Sequence, residues 1–179
     1  MQGTRRDETP RGKESHISLT NSPSSATDVI LPMSEPYTSL VLYGHKTYEF
    51  RKYKLKPTIK RIWFYRTAPY SALTHIAEIA PAHVWSTDGP LPDEDGVGNK
   101  EYNDPRQVKQ WRRRFGEFAY KILAVWELRE CITLSNMKER YGIKGPPRGL
   151  VYLPSQLGKE VVWHRQRKIL DEKRMEKKN

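Results

Sequence analysis

Residues 44–53 read GHKTYEFRKY, and the reading of this stretch decides the fold. The segment before it, SEPYTSLVLYG (34–44), has Leu40 and Tyr43 three apart on one face with Tyr37 a turn earlier, which predicts a short amphipathic helix. Ser34 is placed to cap that helix, Pro36 to sit in its first turn and Gly44 to stop it. Beyond Gly44 the period changes to two: Tyr48 and Phe50 point one way, Thr47, Glu49 and Arg51 the other. Such alternation is ordinarily a half-buried strand with charges on its wet face. The alternative is that Lys46, Glu49 and Arg51 face a ligand.

Working outward, strand signals dominate. DVILPM (28–33) predicts a strand ending near Pro32, and KRIWFYRTAP (60–69) a strongly β-prone strand stopped by Pro69. LTHIAEIAPAHVWS (73–86) predicts another, kinked at Pro81, in which Ile76 and Glu78 share a parity; a regular strand would then set the Glu78 carboxylate on an apolar face. TDGPLPDEDGVGNKEYNDP (87–105) predicts a long loop, mobile or a lid. Asp104 is placed to cap a helix over 105–116, which contains WRRRF. AYKILAVWELRECITL (119–134) is the longest apolar run and predicts a central strand, with Cys131 as a small buried hydrophobe. Ser135 is placed to cap a short helix, and PPRGLVYLP (146–154) predicts a last strand. SQLGKEVVWHRQRKILDEKRMEKKN (155–179) predicts a C-terminal helix fraying into a charged tail. Strands interrupted by short helices, without regular βαβ alternation, predict an α+β domain around a curled sheet or small barrel. Residues 1–27 lack large apolar side chains and are expected to be disordered; the domain is expected over 28–168 and a charged tail over 169–179.

The chain of 179 residues carries a net charge of +11, and residues 28–158 alone hold twenty Lys/Arg against fourteen Asp/Glu. Basicity therefore belongs to the folded body as well as the tail, and it favours polyanions, nucleic acid above all. A basic protein with no such partner is the alternative that charge alone leaves open. No apolar run approaches the roughly 18 residues a membrane span needs, and the N-terminus has no apolar signal core, so a cytoplasmic or nuclear protein is expected. A single cysteine excludes an intramolecular disulfide and a Cys-based zinc cluster. The five histidines make no HExxH or comparable pair, and there is no GxSxG or Walker loop, so no metal and no cofactor is expected. WRRRF (111–115) spreads Arg112, Arg113 and Arg114 around a helical turn, either as a solvated face or as a phosphate-contact surface, with Trp111 and Phe115 available for core anchoring or base stacking.

Gly44, Lys46, Glu49 and Arg51 form the pattern Gly-x-Lys-x-x-Glu-x-Arg, set between a short helix and a strand. This resembles the signature of the ASCH domain, a branch of the PUA-like superfamily. IWFYRTAPYSALTHIAEI (62–79) resembles the family's second block, an aromatic strand, a turn with proline and a strand ending in an acid. The resemblance covers about residues 29–85, and the rest of the body in layout only. It implies a PUA-like β-barrel with helices around it, and a cleft lined by Lys46, Glu49 and Arg51. It also implies RNA or DNA, or a modified nucleoside, as partner, and of the two nucleic acids RNA is expected ahead of DNA.

The chemistry of the residues is compatible with that expectation. Lysine and arginine donate to phosphates or base acceptors, and a carboxylate accepts from an exocyclic amine. Lys52, Lys54, Lys60, Arg61 and the arginines at 112–114 are expected to meet phosphates, and Tyr65, Trp63 or Trp85 to provide a stacking wall or belong to the core. One branch of the family resembles an amidohydrolase acting on N4-acylated cytidine, with a threonine three residues after the lysine. Here that position is Glu49 and the nearest threonine is Thr47, so the enzymatic alternative is limited to Lys46 and Glu49 activating water. A third alternative is an adaptor that binds a protein through the C-terminal helix and tail.

Overall fold

A computed structural model describes residues 26–171; most of the N-terminal segment and the last eight residues lie outside the described part. Eight strands form one mixed sheet: β1 (Asp28–Met33), β2 (Tyr48–Arg51), β3 (Arg61–Arg66), β4 (Ala72–Ile79), β5 (His83–Val84), β6 (Phe118–Thr133), β7 (Val151–Tyr152) and β8 (Arg167–Asp171). The order is β2-β6-β4-β3-β1-β7, with β5 and β8 also paired to β6. Only β1 and β3 run parallel; every other pair is antiparallel. The six helices are α1 (Tyr37–Leu42), α2 (Trp85–Asp88), α3 (Asn99–Asn103), α4 (Val108–Arg114), α5 (Leu134–Tyr141) and α6 (Ser155–Glu160). This is an α+β half-barrel, as the sequence predicts.

β6 is the spine. Ala119 pairs with Phe50 of β2 and with His83 of β5, so those two strands occupy opposite edges of its first part. Further along, Ala124 pairs with Glu78 of β4 and Asp171 of β8 in the same way. Sixteen residues therefore hold four strands together, which explains why this segment is the longest apolar run.

Both faces of the sheet are covered, and the strand parities sort into two cores. Val29, Leu31, Ile62, Phe64, Tyr120 and Ile122 pack with Val41 of α1 in the inner cluster. Ile30, Trp63, Tyr65, Leu73 and Ile76 pack on the other face under Met137 of α5 and Leu157 of α6. This two-sided burial makes IWFYR a continuous apolar run rather than an alternating one. A third cluster joins Tyr48 and Phe50 to Leu91 and Tyr102, with Trp111 and Phe115 against it.

Several local expectations are corrected. The segment 155–171 is not one helix: α6 is followed by a 3-10 turn at Trp163–Arg165 and then by β8, which buries Leu170 against the inner cluster. β6 offers a free edge there, and pairing to it outweighs the helical spacing. Cys131 is exposed, because it lies in the stretch of β6 where the pairing with β4 shifts register, next to Ile132, which takes the buried position. Thr133, not Ser135, caps α5 by accepting from the Asn136 amide at 3.3 Å. Ser34 does not cap α1; the Glu35 carboxylate accepts from both the amide and hydroxyl of Ser39. α4 is shorter than predicted, with Gln107 at its N-cap rather than Asp104. Segment 87–105 is not featureless: it contains the end of α2 and the whole of α3, and it buries Leu91, Asn99 and Tyr102. Ile76 and Glu78 stay in one regular register opposite Trp126 and Ala124 and so share a face, but Glu78 is half-buried opposite Arg61 and lies outside the outer cluster, so no carboxylate enters the core.

Candidate nucleotide cleft

Among the strands of the main sheet path, β2 stands at one end and pairs only with β6. Its free edge faces the end of β1 on one side and α3–α4 on the other, leaving a cleft of about 510 Å3. Pro32, Met33 and Tyr37 line one wall, Val97, Gly98, Trp111 and Phe115 the other, and Lys46 with residues 49–53 the floor and mouth.

α1 ends so that Lys46 turns inward: the amides of His45 and Lys46 both donate to Leu40 O, at 2.9 and 3.0 Å. Glu49 pairs across the ladder with Tyr120, and cross-strand partners share a face, so its carboxylate lies on the inner side with the first core cluster. There it joins two cations. Lys46 Nζ is 3.3 Å from Glu49 Oε2, and an Arg51 guanidinium nitrogen is 2.8 Å from Glu49 Oε1. Arg51 also donates to Pro32 O at 3.1 Å, tying the free edge of β2 to β1. Lys46 donates to Tyr48 O and stands 4.7 Å from the Phe50 ring centroid. Lys46 is 6% exposed and Glu49 5%, so this is a buried triad, not a wet strand face.

Burial governs its electrostatics. Desolvation pulls the Lys46 ammonium below the usual lysine range, and the Glu49 carboxylate opposes that shift. A buried ion pair is costly unless its geometry and hydrogen bonds are complete. Here they are not: Glu49 Oε2 and Arg51 Nε have no hydrogen-bond partner among the described residues, and neither does Trp111 Nε1. The cleft thus borders an acceptor, donors and aromatic rings, all held by packing.

The opposite wall is built by the segment after Leu91. Thr47 Oγ1 donates to Asp93 Oδ2 at 2.8 Å and accepts from Asn99 Nδ2 at 3.0 Å. Asn99 Nδ2 also reaches Asp93 O at 2.8 Å, so Thr47 latches the Gly96–Gly98 turn beside the triad. Gly98 has φ +92°, and a Cβ there would sit 2.8 Å from two ring carbons of Trp111. The missing side chain is what lets the indole reach the cleft. Trp111 is then pinned edge-on to Phe50 and nearly face-on to Phe115, with ring centroids 5.4 and 4.1 Å away.

The sequence-predicted residues divide accordingly. Lys46, Glu49, Arg51, Lys52 and Arg114 come together around the cleft. Lys54 and Arg113 are exposed outside it. Arg112 stands 5.4 Å from the Trp85 ring, with two nitrogens buried and unpartnered. Tyr65 is 1% exposed and packs with Trp63 in the outer core, so neither forms a stacking wall. Arg61 is bound to Asp28 at 2.6 Å and stacked on Trp163, not offered to solvent. Thr47 does not line the cleft, its hydroxyl being committed to the latch. Tyr37, Tyr53, Met33 and Val97 are lining residues that the sequence does not signal, whereas Trp111 and Phe115 of the far wall are the two aromatics of WRRRF open to core anchoring or base stacking. Among the described residues no three potential metal ligands gather.

The fold is that of ASCH proteins. A serine-to-alanine variant of the ASCH protein from Zymomonas mobilis matches with a TM-score of 0.55 at 19% identity, over 76% of this chain and 94% of that one. A tyrosine-to-phenylalanine variant of the same protein matches with a TM-score of 0.51 at 18% identity, over 75% and 95%. No family model and no curated relative matches the sequence. At this identity the likeness defines an ASCH-type, PUA-like fold; the chemistry of this chain rests on its own cleft.

Proposed function

We propose that this ASCH-type module binds nucleic acid, RNA in preference to DNA, by taking a base into the cleft beside β2. The observation that carries this reading is the buried Lys46–Glu49–Arg51 triad opening onto an aromatic-walled cavity. Among the described residues Glu49 Oε2 makes no polar contact beyond its 3.3 Å ion pair with Lys46 and suits an exocyclic amine as a further donor, while Lys46 and Arg51 suit ring or carbonyl acceptors. Trp111 and Phe115 supply the faces against which a planar ring packs. Lys52 and Arg114 stand at the mouth, where a sugar-phosphate backbone would leave the cleft. The test is binding of a short single-stranded RNA measured by fluorescence anisotropy, with Lys46→Ala and Arg51→Ala compared with the unaltered protein. Each substitution is expected to weaken binding about tenfold or more. Unaltered affinity in both would refute the reading.

The lowered proton affinity of Lys46 favours one second reading, hydrolysis of an N4-acylated cytidine-type nucleoside. Desolvation enlarges the neutral fraction of Lys46 although Glu49 opposes it, and in that neutral form the amine would accept a proton from the attacking water. Release of cytidine from N4-acetylcytidine, abolished by Lys46→Ala, is the expected result; no release at high protein concentration would retire it.

A further inference from the structure

A second, smaller pocket of about 190 Å3 adjoins the cleft, lined by Glu101, Gln107, Gln110, Trp111, Arg114 and Phe115. Four of these residues, Glu101, Trp111, Arg114 and Phe115, also line the main cleft. The two cavities are therefore separated by the Trp111–Phe115 ring pair and straddled by Arg114. The main cleft falls within the roughly 300–1,000 Å3 usual for small-molecule sites, while the outer pocket is too small for a whole nucleotide and has room for a ring.

α4 is unusual in a way that bears on this arrangement. A surface helix ordinarily directs an apolar stripe into the core, yet α4 has no fully buried residue and sends only Trp111 against the third cluster. Positions 107, 110, 111 and 114 fall on one side of the helix, and all four line the outer pocket. That stripe consists of two amides, an indole and a guanidinium, which suits recognition better than packing. The Arg114 guanidinium carbon is 4.9 Å from the Phe115 ring centroid, and Arg114 has no ion-pair partner among the described residues. Gln107 donates one amide hydrogen to Asp104 at 2.9 Å, which orients its side chain. Glu101 would repel a phosphate set directly against it, but it can accept from an exocyclic amine or a 2′-hydroxyl.

Resting on the base-binding reading of the main cleft, we infer that the site takes two consecutive nucleotides of a single strand. One base lies beside Glu49, the next lies in the outer pocket against Gln107, Gln110 and the far side of the ring pair, and Arg114 contacts the phosphate between them. The occupant is a strand rather than a free nucleotide because the two cavities share a wall and the cation on it lies between them. Nothing in the outer pocket provides a second triad, so its base would be held by stacking and amide contacts with little selectivity.

The experiment compares, by calorimetry on the full chain, the four ribonucleoside 5′-monophosphates, their 3′,5′-bisphosphates and the matching 5′-phosphorylated homodinucleotides. Deoxyribodinucleotides form a further arm. The dinucleotide is expected to bind roughly tenfold tighter than the bisphosphate, a gain due to the second base, and the Gln107→Ala/Gln110→Ala variant is expected to lower that ratio about threefold, the stacking on the ring pair remaining. A dinucleotide that binds where mononucleotides are too weak to measure is the same result at a larger ratio. Equal binding of bisphosphate and dinucleotide would overturn the second base site while leaving the cleft reading intact, and so would a ratio unchanged in the variant. Failure of every nucleotide and dinucleotide to bind would overturn both. Deoxyribodinucleotides binding as well as ribodinucleotides would still support two base sites and would remove Glu101 as a reader of the 2′-hydroxyl.

Discussion

Glu49 holds one cation on each carboxylate oxygen, so the three charges of the triad are not equivalent. Removing Lys46 leaves the Glu49–Arg51 pair at 2.8 Å, whereas neutralising Glu49 leaves two buried cations facing each other. Glu49→Gln is therefore expected to destabilise the protein by about 3 kcal/mol, and Lys46→Met, which keeps the apolar stem, by about 1 kcal/mol or less. Urea unfolding at pH 7 checks the order, and a larger loss for Lys46→Met would contradict this account of the triad. His75 sets a different limit. Burial lowers its pKa from 6.5 to about 4, opposed mainly by Glu127 and reinforced by Arg66 and Arg167. A base with a depressed folded pKa binds fewer protons folded than unfolded, so stability is fully present above pH 6.5 and is lost as pH falls through 4. Between pH 7 and 4.5 this group alone is expected to remove about 2–3 kcal/mol. His75→Gln should shrink the difference in unfolding free energy between those two pH values; an undiminished difference would show that other groups govern it.

At the scale of elements, the cleft depends on how closely the loops are pressed onto β2. A Cβ on Gly116, whose φ is +113°, would lie 2.0 Å from the carbonyl carbon and oxygen of Arg51. Neither backbone can yield cheaply, so Gly116→Ala is expected to cost about 3 kcal/mol or more and to lower the thermal midpoint sharply. Thr47→Val removes the latch to Asp93 and Asn99 and should cost about 1–2 kcal/mol, with faster proteolysis confined to 89–98. Uniform protection of that segment in the variant would show that Thr47 does not hold it. The strands of the core were legible because their apolar runs are long and β-branched or aromatic, and the motif at 44–53 was legible because the period changes at Gly44. β8 was not, because RKILD becomes a strand only when β6 presents an edge to it. The far wall was legible only at Trp111 and Phe115: Leu91 and Tyr102 behind it are isolated apolar residues in a polar stretch, and only long-range packing buries them. Tyr65 was misplaced because parity along β3 cannot say that both faces of the sheet are covered.

For the whole molecule, the central question is how the basic charge relates to the cleft. Lys52 and Arg114 are exposed at the mouth and Lys54 and Arg113 outside it, whereas Arg51 and Arg61 are held by carboxylates. Only the former group can exchange counterions for phosphates, at about 0.7 in the log–log salt slope per phosphate on a single strand. Arg113→Glu/Arg114→Glu is expected to flatten the slope by about 1 or more, and a slope left unchanged would place the backbone elsewhere. In the proposed reading base recognition belongs instead to the triad and is expected to be insensitive to salt by comparison. The most direct test is a titration of one single-stranded RNA against the unaltered protein and Glu49→Gln, from 50 to 500 mM salt, at a temperature where both are folded. The account predicts at least about tenfold weaker binding by Glu49→Gln with an unchanged salt slope. Equal affinity at every salt concentration would contradict it.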